Sequence, residues 1–509
     1  MQSLFLVLLV YPVHLIVADE DFEYALTHYG RLRGRVKRVL GKELSVFSGV
    51  RFAKPPVGNL RFKPPQEPEH WTGTADALSL SRACIQPPDE TFPGFQGSEM
   101  WNPNTPQDED CLFLNIWAPR GIQNATIMVW FFGGGFYYGS PSLDVYNAEG
   151  LAIEGNVIVV NPNYRVGAFG FLYLGTSDVP GNVGLLDQQL ALKWIRQNIR
   201  AFGGDPNKVT LFGESAGAAS IVAHMISPKS ANLFNYGIIQ SGSLQNPWAM
   251  DTPERALNKS MALIKQLHCP LTYGSQILKC LLSLPAKDFA DKLWGFTDML
   301  YFMEFPLVIV SEDANFFAGI NAFEAVKKGQ FKKTNLIVGI MASEGTFWLV
   351  YYLAKYFNGA KQEIPKLNQV EFLDAINSTL DREPPVFRKS AAFQYGRSLF
   401  NIYCGDSRSE NYGDAINQLV GDYQFTCDSI GVADLVIRNG GAAYLYYFDY
   451  FISSNPWPRW MGAMHGYEVE FVMGIPLINT THSNGRYSAA EIRMTRQIVK
   501  YWTTFAAIG

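Results

Sequence analysis

The residues best suited to chemistry in this sequence are the five from Gly213 to Gly217, which read Gly-Glu-Ser-Ala-Gly. An apolar run at 209–212 precedes them and predicts a short buried strand, while the small residues from Ala216 onward predict a helix. A serine on so sharp a strand-to-helix turn has strained backbone geometry, and the flanking glycines let strand and helix approach closely. Ser215 is therefore predicted to be a nucleophile, with a tight structural turn as the alternative.

A serine hydroxyl attacks at neutral pH only when a base takes its proton, and the usual base is a histidine oriented by a carboxylate. His465 lies in a glycine-flanked loop after the strand-like run 443–448. Functional groups in open α/β sheets gather beyond the carboxyl ends of strands, which suits this position. The same rule selects Glu344, just after the run 335–340, as the acid, with Asp313 as its main rival. The order serine, acid, histidine is that of one hydrolase architecture.

The other six histidines are less suitable bases. His224 lies on the helix that follows Ser215, more than two turns away from it, and is interpreted as a packed helix residue. The remaining five lie near the amino terminus, beside a cysteine or in a glycan acceptor sequence: His14, His28, His70, His268 and His482.

An oxyanion hole needs backbone N–H donors from the residue after the nucleophile and from an early loop that follows a strand. Ala216 supplies the first, and the run Gly133-Gly134-Gly135, directly after the strand-like residues 126–132, supplies the second. The glycine run could also be a flexible loop or a phosphate cradle, but it misses the dinucleotide-binding spacing by one residue. Together with the Ser215 turn, it predicts an oxyanion hole.

The length and composition are sufficient for a large hydrophobic core, and the charge balance excludes some classes of function. The chain has 509 residues, 48% of them hydrophobic, and a net charge of −4 from 46 acidic and 42 basic side chains. This near balance gives no sign of a basic surface that would bind nucleic acid or an anionic membrane. No metal cluster or cofactor motif is found, and serine-based hydrolysis needs neither.

Continuous apolar runs suit strands that are buried on both faces, and hence a largely parallel sheet covered by helices. One covering helix is predicted at 184–200, and an alternating strand at 31–38. Residues 250–330 and 350–435 are more polar and predict helical insertions. The strand-like runs lie at 126–132, 157–160, 209–212, 237–240, 335–340 and 443–448.

Residues 1–18 form an apolar run too short to span a bilayer comfortably and predict a signal peptide, with a buried amino-terminal segment as the alternative. Residues 19–509 would then be one secreted catalytic domain. Secretion makes the cysteines candidates for disulfides, and four fall into close pairs: Cys84 with Cys111, and Cys269 with Cys280. The predicted N-glycan sites are Asn124, Asn258, Asn377 and Asn479.

With these motifs in hand, the chain from Tyr29 to its last residue resembles the type-B carboxylesterase/cholinesterase family, which has the α/β-hydrolase fold. The most specific matching segments are 202–217, 109–112, 98–104 and 462–471. The resemblance implies a catalytic triad of Ser215, Glu344 and His465. It also implies that the oxyanion donors are Gly134, Gly135 and Ala216.

The resemblance further assigns Trp101 to the quaternary ammonium of a choline ester, because a cation over an indole face is attracted by the ring quadrupole. Glu214, beside the nucleophile, would add a negative charge. Other implied positions are an aromatic gorge of Tyr137, Tyr146, Phe347 and Tyr351, a gorge mouth with Asp89 and Trp294, and an acyl pocket with Met303, Phe305 and Trp348.

Three departures from the family pattern change these expectations. Met303 stands where vertebrate relatives have a phenylalanine, so the acyl pocket is expected to accept more than acetyl. Pro87 replaces a usual tyrosine at the mouth, and ligands there are expected to bind weakly. Relatives continue past Gly509, and Cys427 matches a cysteine whose usual partner lies in that part. Either the sequence is a fragment that lacks its C-terminal end, or Cys427 pairs with Cys404 or stays free.

The resemblance therefore implies a secreted serine esterase that hydrolyses acetylcholine through an acetyl-serine intermediate. Its partner is expected to be a small choline ester, and the chain is expected to be a monomer without a membrane anchor. One alternative is a broad carboxylesterase with no preference for cations. Another is a catalytically inactive adhesion ectodomain, which the presence of all three triad residues disfavours.

Overall fold

The computed structural model describes residues 21–272, 274–402, 412–478 and 487–509. The strands in this part of the chain are β1 (Phe22–Leu26), β2 (Arg31–Val39), β3 (Lys42–Arg51), β4 (Thr74–Asp76), β5 (Phe113–Pro119), β6 (Ala125–Phe131), β7 (Ile158–Pro162), β8 (Gly204–Glu214), β9 (Tyr236–Gln240), β10 (Met250–Asp251), β11 (Ile309–Val310), β12 (Leu336–Met341) and β13 (Ala443–Phe448).

Eleven of these strands form one sheet in the order β1-β2-β3-β5-β7-β6-β8-β9-β12-β13, with β4 beside β2. From β7 to β13 every pair of neighbours is parallel. The amino-terminal side is antiparallel from β1 through β5 to β7. The six predicted strand-like runs all lie in the parallel half, which confirms the predicted α/β class.

The central strands β6 and β7 are buried along their whole length, as their unbroken apolar sequences predict. Strand β13 differs, although its residues are equally apolar. Leu445 is 62% exposed and Tyr447 is 63% exposed. The prediction that this run is buried on both faces is wrong, because β13 is the last strand of the sheet and pairs only with β12. An apolar run does not distinguish a central strand from an edge strand.

The helices surround this sheet and fill the segments between its later strands. Helix α4 matches the predicted covering helix, and α6–α9 and α11–α14 lie in the two segments predicted to be helical insertions. The helices are α1 (Gln96–Glu99), α2 (Glu149–Gly155), α3 (Gly167–Phe171), α4 (Val183–Asn198), α5 (Ala216–Ile226), α6 (Pro253–Gln266), α7 (Ser275–Ser283), α8 (Ala286–Lys292), α9 (Ala322–Lys327), α10 (Glu344–Tyr352), α11 (Gln369–Thr379), α12 (Pro385–Ile402), α13 (Tyr412–Gly421), α14 (Cys427–Arg438), α15 (Val469–Val472), α16 (Ile475–Ile478) and α17 (Ala489–Ile508).

Both predicted disulfides are present, one between Cys84 and Cys111 and one between Cys269 and Cys280. Cys427 is exposed and forms no disulfide with another cysteine in the described ranges. The predicted signal peptide at 1–18, Cys404 and Asn479 lie outside the described residues. The other three predicted glycan sites are exposed: Asn124, Asn258 and Asn377.

No helix in the described ranges is long and apolar enough to cross a membrane.

Candidate active site

Ser215 lies at the sharp junction between β8 and α5, with φ +55° and ψ −120°. Such positive φ values are rare for residues other than glycine, so the turn is strained. The two flanking glycines are required by the neighbouring strand. A Cβ atom on Gly217 would lie 1.9 Å from the carbonyl oxygen of Phe131, and one on Gly213 would lie 2.7 Å from the same oxygen. The strand and helix can meet here only because both positions lack side chains.

His465 and Glu344 meet from segments that are 121 residues apart in the chain. His465 Nδ1 lies 2.7 Å from Glu344 Oε2. The other carboxylate oxygen, Oε1, accepts a hydrogen bond of 2.8 Å from the Met341 backbone at the end of β12. Both carboxylate oxygens are therefore engaged, so Glu344 can hold the imidazole in one orientation and one tautomer.

The loop that carries His465 is attached to the segment that carries Glu344. The backbone N–H of Ser343 donates to the carbonyl of Ala463 over 2.9 Å, and the hydroxyl of Thr346 donates to the carbonyl of Met461 over 2.7 Å. These bonds join the two loops next to the reactive side chains. The geometry of the pair therefore depends on backbone contacts as well as on the two side chains.

The second ring nitrogen of His465 faces Glu214 rather than the serine. His465 Nε2 lies 3.0 Å from Glu214 Oε1, although neither atom has a partner in hydrogen-bonding geometry. Among the described residues, the Ser215 hydroxyl makes no hydrogen bond to His465. Catalytic hydrogen bonds often tighten only when substrate is bound. For His465 to act as a base on Ser215, its Nε2 must accept a hydrogen bond from the Ser215 hydroxyl.

Two carboxylates control the charge of this imidazole. Burial alone would lower the pKa of His465, but the charge of Glu214 and the hydrogen bond to Glu344 outweigh it and raise the pKa to about 9. Burial raises the pKa of Glu214 to about 8, against the opposing attraction of the His465 charge. Each charged group of this pair stabilises the charged form of the other, so Glu214 and His465 titrate together.

A third buried carboxylate, Glu468, lies behind this pair and was not selected from the sequence. Its Oε1 accepts a hydrogen bond of 3.0 Å from Gln240 Nε2, and the side-chain oxygen of Gln240 accepts one of 3.2 Å from Trp502. Burial raises the pKa of Glu468 to about 7. Its position three residues after His465 in a recognised motif was the signal that could have identified it.

The glycine run passes directly against the nucleophile. A Cβ atom on Gly133 would lie 2.6 Å from Glu214 Oε2 and 3.0 Å from the Ser215 Cβ. Gly134 and Gly135 have φ values of +114° and +54°, which favour glycine. Ala216 is fully buried at the first position of α5. Gly134 lines the same cavity as Ser215, and Ala216 follows Ser215 directly in the chain.

These residues surround a small inner cavity of about 30 Å³. Of the predicted site residues, the triad members Ser215 and His465 line it, as do Trp101 and Tyr146. Within the described part of the chain, no acceptor lies in hydrogen-bonding geometry to the indole nitrogen of Trp101. The complete lining is Trp101, Gly133, Gly134, Tyr138, Gly139, Leu143, Tyr146, Glu214, Ser215, Phe347, Trp348, His465 and Gly466.

A larger outer cavity of about 290 Å³ adjoins the inner one. The hydroxyl of Tyr351 donates to Asp89 over 2.7 Å within its wall. Tyr137 and Trp294 also line it, so the predicted mouth residues lie together. The complete lining is Pro87, Pro88, Asp89, Glu90, Thr91, Tyr137, Tyr138, Trp294, Phe347, Trp348, Tyr351 and Tyr352.

Tyr138, Phe347 and Trp348 line both cavities and form the boundary between them. Tyr138 was not selected from the sequence, although it lies three residues after the glycine run and next to Tyr137. Its ring centroid lies 4.7 Å from that of Tyr137. A tyrosine at this position narrows the connection from the outer cavity to Ser215.

The predicted acyl-pocket residues Met303 and Phe305 are buried and line neither cavity. The ring of Phe305 packs on the glycine run, because a Cβ atom on Gly135 would lie 2.8 Å from it. Asp313, the alternative to Glu344 as the acid, does not contact His465. It accepts hydrogen bonds from Asn182 and from the backbone of 315–317.

Comparison with known proteins identifies the family. The profile of the carboxylesterase family matches residues 23–509. The chain is 44% identical over 499 residues to "Acetylcholinesterase 4" of Caenorhabditis briggsae, covering 95% of this chain and 81% of that protein.

Two vertebrate proteins are also similar. "Cholinesterase" of Mus musculus is 39% identical over 510 residues, covering 99% of this chain and 82% of the mouse protein. "Acetylcholinesterase" of Bungarus fasciatus is 39% identical over 486 residues, covering 95% and 78%. The family resemblance predicted from the motifs is confirmed: the chain belongs to the carboxylesterase family and is a serine hydrolase of carboxylic esters.

Proposed function

We propose that this protein is a secreted cholinesterase that hydrolyses acetylcholine to choline and acetate through an acetyl-Ser215 intermediate. The observation that carries the proposal is the inner cavity, where Trp101 and Glu214 share one wall with Ser215 and His465. A quaternary ammonium cannot donate hydrogen bonds, so an aromatic face and a nearby carboxylate are the groups suited to bind it. The names of the three relatives support the same substrate class.

In the first half of the proposed reaction, His465 Nε2 accepts the proton of the Ser215 hydroxyl as its Oγ attacks the acetyl carbonyl carbon. The N–H groups of Gly134, Gly135 and Ala216 donate to the oxyanion that develops. The C–O bond to choline then breaks, and the leaving oxygen takes the proton from His465. Glu344 stabilises the imidazolium that exists between these two transfers.

In the second half, His465 takes a proton from a water molecule, which attacks the acetyl carbonyl. The bond to Ser215 Oγ breaks, and the proton returns to that oxygen as acetic acid leaves and ionises to acetate in water. The choline ammonium over Trp101 brings a positive charge next to Glu214. That charge competes with His465 for the carboxylate, so substrate binding would help to free Nε2 for the serine.

The test is hydrolysis of acetylthiocholine and of a neutral aryl acetate by the wild-type chain and by Trp101→Ala. We expect kcat/KM for the choline ester to fall at least about 30-fold, because ~2 kcal/mol of cation–π attraction is lost. The aryl ester should lose much less. Trp71→Ala is the matched control, because Trp71 is partly exposed, lines neither cavity and donates its indole N–H to the Arg31 carbonyl.

Equal losses on both esters would support a broad carboxylesterase instead. Absence of hydrolysis together with failure of Ser215 to react with an organophosphate would support a non-catalytic role. The predicted signal peptide, the exposed asparagines of the acceptor sequences and the two disulfides support secretion. Protease shaving of intact cells and glycosidase treatment of the secreted chain test that part. Light scattering of the purified chain tests the proposed monomer.

A further inference from the structure

Four charged side chains form a cluster behind the proposed acyl pocket: Asp251, Arg255, Lys259 and Glu304. Lys259 is completely buried at its centre. Its ammonium lies 2.6 Å from Asp251 Oδ2, 3.1 Å from Glu304 Oε1 and 2.8 Å from the carbonyl oxygen of Phe305. The contacts with Asp251 and with the Phe305 carbonyl are hydrogen bonds, and the contact with Glu304 is an ion pair.

Glu304 is the second centre of the cluster. Arg255 donates to both of its oxygens over 2.9 and 2.7 Å, and the backbone N–H of Tyr301 donates over 3.0 Å. Burial would raise the pKa of Glu304, but the hydrogen bonds from Arg255 and the charge of Lys259 lower it to about 2. The two positive charges are thus paired with two carboxylates. Buried charged groups need such partners, because an unpaired buried charge is strongly destabilising.

The cluster acts on the backbone between two residues of the proposed acyl pocket, because Glu304 lies between Met303 and Phe305. Met303 has φ +54°, a left-handed conformation that is unusual for methionine. Strained conformations persist only where the surrounding contacts determine them strongly. Here the carboxylate of Glu304 and the carbonyl of Phe305 are both held by Lys259, on either side of the same peptide unit.

This backbone position sets the position of the Phe305 ring. The ring centroid lies 5.3 Å from that of Tyr137 and 5.8 Å from that of Trp348, both of which line the outer cavity. It also packs against Gly135, one of the proposed oxyanion donors. A shift of the Phe305 carbonyl would therefore change the space beside the acyl group on Ser215.

We propose that Lys259 is a positioning residue for acyl selectivity: by holding the Phe305 carbonyl and the Glu304 carboxylate, it fixes the backbone after Met303, keeps Phe305 against the glycine run and so limits acyl length. This inference rests on the proposed function, since acyl length matters only if Ser215 is acylated. The buried charge cluster, together with the pocket side chains themselves, determines how wide the pocket is.

The test compares acetylthiocholine with butyrylthiocholine for the full chain and for Lys259→Met, which keeps an unbranched stem and removes the three donors. We expect the butyryl-to-acetyl ratio of kcat/KM to rise about tenfold, near the lower limit of what a methylene is worth in an apolar pocket. Phenyl acetate and phenyl butyrate should show the same shift, because the change is on the acyl side.

The matched control is Lys332→Met. Lys332 is a half-buried lysine that also holds backbone carbonyls, those of Ala231 and Phe234, but lines neither cavity. Both variants should melt at a lower temperature than the wild type, while the acyl ratio of Lys332→Met should stay that of the wild type. A role of Lys259 in stability alone would leave the ratio unchanged in both variants.

Glu304→Gln is the second variant in case Lys259→Met does not fold, because it keeps the size of the side chain and most of its hydrogen bonds. We expect a smaller shift of the ratio in the same direction. An unchanged ratio in whichever of the two variants folds would overturn the inference. Failure of the wild type to hydrolyse any of the four esters would instead overturn the proposed function.

Discussion

Two histidines of this protein are buried to a similar degree but lie in opposite electrostatic environments. His224, on α5, has Ser230 Oγ 2.8 Å from Nδ1 and Gln188 Oε1 3.0 Å from Nε2, and burial lowers its pKa to about 3. His465 has a carboxylate beside each ring nitrogen, and its pKa is raised to about 9.

The comparison shows that burial by itself makes a histidine inert. Both nitrogens of His224 have neutral partners, which do not offset the cost of burying a charged ring. His224 therefore stays neutral and serves as a core residue. The carboxylates beside His465 offset the cost of burying a cation. His465 can therefore gain and lose a proton during a reaction, which is the property that a general base needs.

The largest difference between the two histidines is expected when each imidazole side chain is replaced by that of glutamine. For His465→Gln we expect kcat/KM to fall by roughly 10⁴–10⁶-fold, because no other group can take the Ser215 proton. His224→Gln should leave kcat/KM within about twofold of the wild type, because the two side chains bonded to its ring, Ser230 and Gln188, line neither cavity. Steady-state hydrolysis of acetylthiocholine measures both, and similar losses in the two variants would contradict the assignment.

Replacing Glu344 by glutamine tests the orientation of the His465 ring. The amide keeps the size of the side chain but no longer stabilises an imidazolium, and it can select the wrong tautomer. We expect kcat to fall by about 10⁴-fold with little change in KM, by analogy with the aspartate of serine proteases. A change confined to KM would show that Glu344 acts on binding instead.

Glu214→Gln tests the role of the carboxylates directly. It places a neutral amide beside Nε2 of His465, as Gln188 does beside Nε2 of His224. The lost carboxylate no longer favours the imidazolium, so the pKa of His465 should fall. The neutral base then exists at lower pH, and the acidic limb of the kcat/KM profile should move down by about one pH unit. A profile of the neutral aryl ester separates this effect from the loss of choline binding. A limb that stays in place would contradict the role of Glu214.

The smallest expected effect concerns His224 and stability. Its folded pKa of about 3 lies below the value of about 6.5 for an unfolded histidine. Below pH 6.5 the unfolded chain binds a proton that the folded chain does not, so this residue lowers stability by about 1.4 kcal/mol per pH unit. His224→Gln should unfold more easily at pH 7, by ~1–3 kcal/mol, and show a shallower loss of stability down to pH 5. Denaturant unfolding at both pH values measures this.

Much of this site could be predicted because its signals are local in the chain. The strand, the turn with its two glycines and the following helix all lie between 202 and 226, and the parallel strands appear as separate apolar runs. The order of Ser215, Glu344 and His465 then followed from strand ends. Both disulfides also join cysteines that are close in sequence, separated by 27 and 11 residues.

Other features could not be predicted because they depend on contacts between distant segments. The exposure of β13 depends on strand order, which no residue in its sequence reveals. Tyr138 was missed because its place between two cavities depends on Phe347 and Trp348, more than 200 residues later. The cluster around Lys259 joins α6, β10 and a loop, and none of its members stands out by composition.

The sequence by itself determined which residues are nucleophile, base and acid candidates and which family the chain belongs to, because reactive side chains and glycine-dependent turns are local properties. Only the tertiary structure decided that Nε2 of His465 faces Glu214, that a lysine holds the Phe305 carbonyl and that two cavities meet at three aromatic rings. Each of these is set by packing between segments far apart in the chain. Their energies depend on distance and on exclusion of water, which residue order alone does not specify.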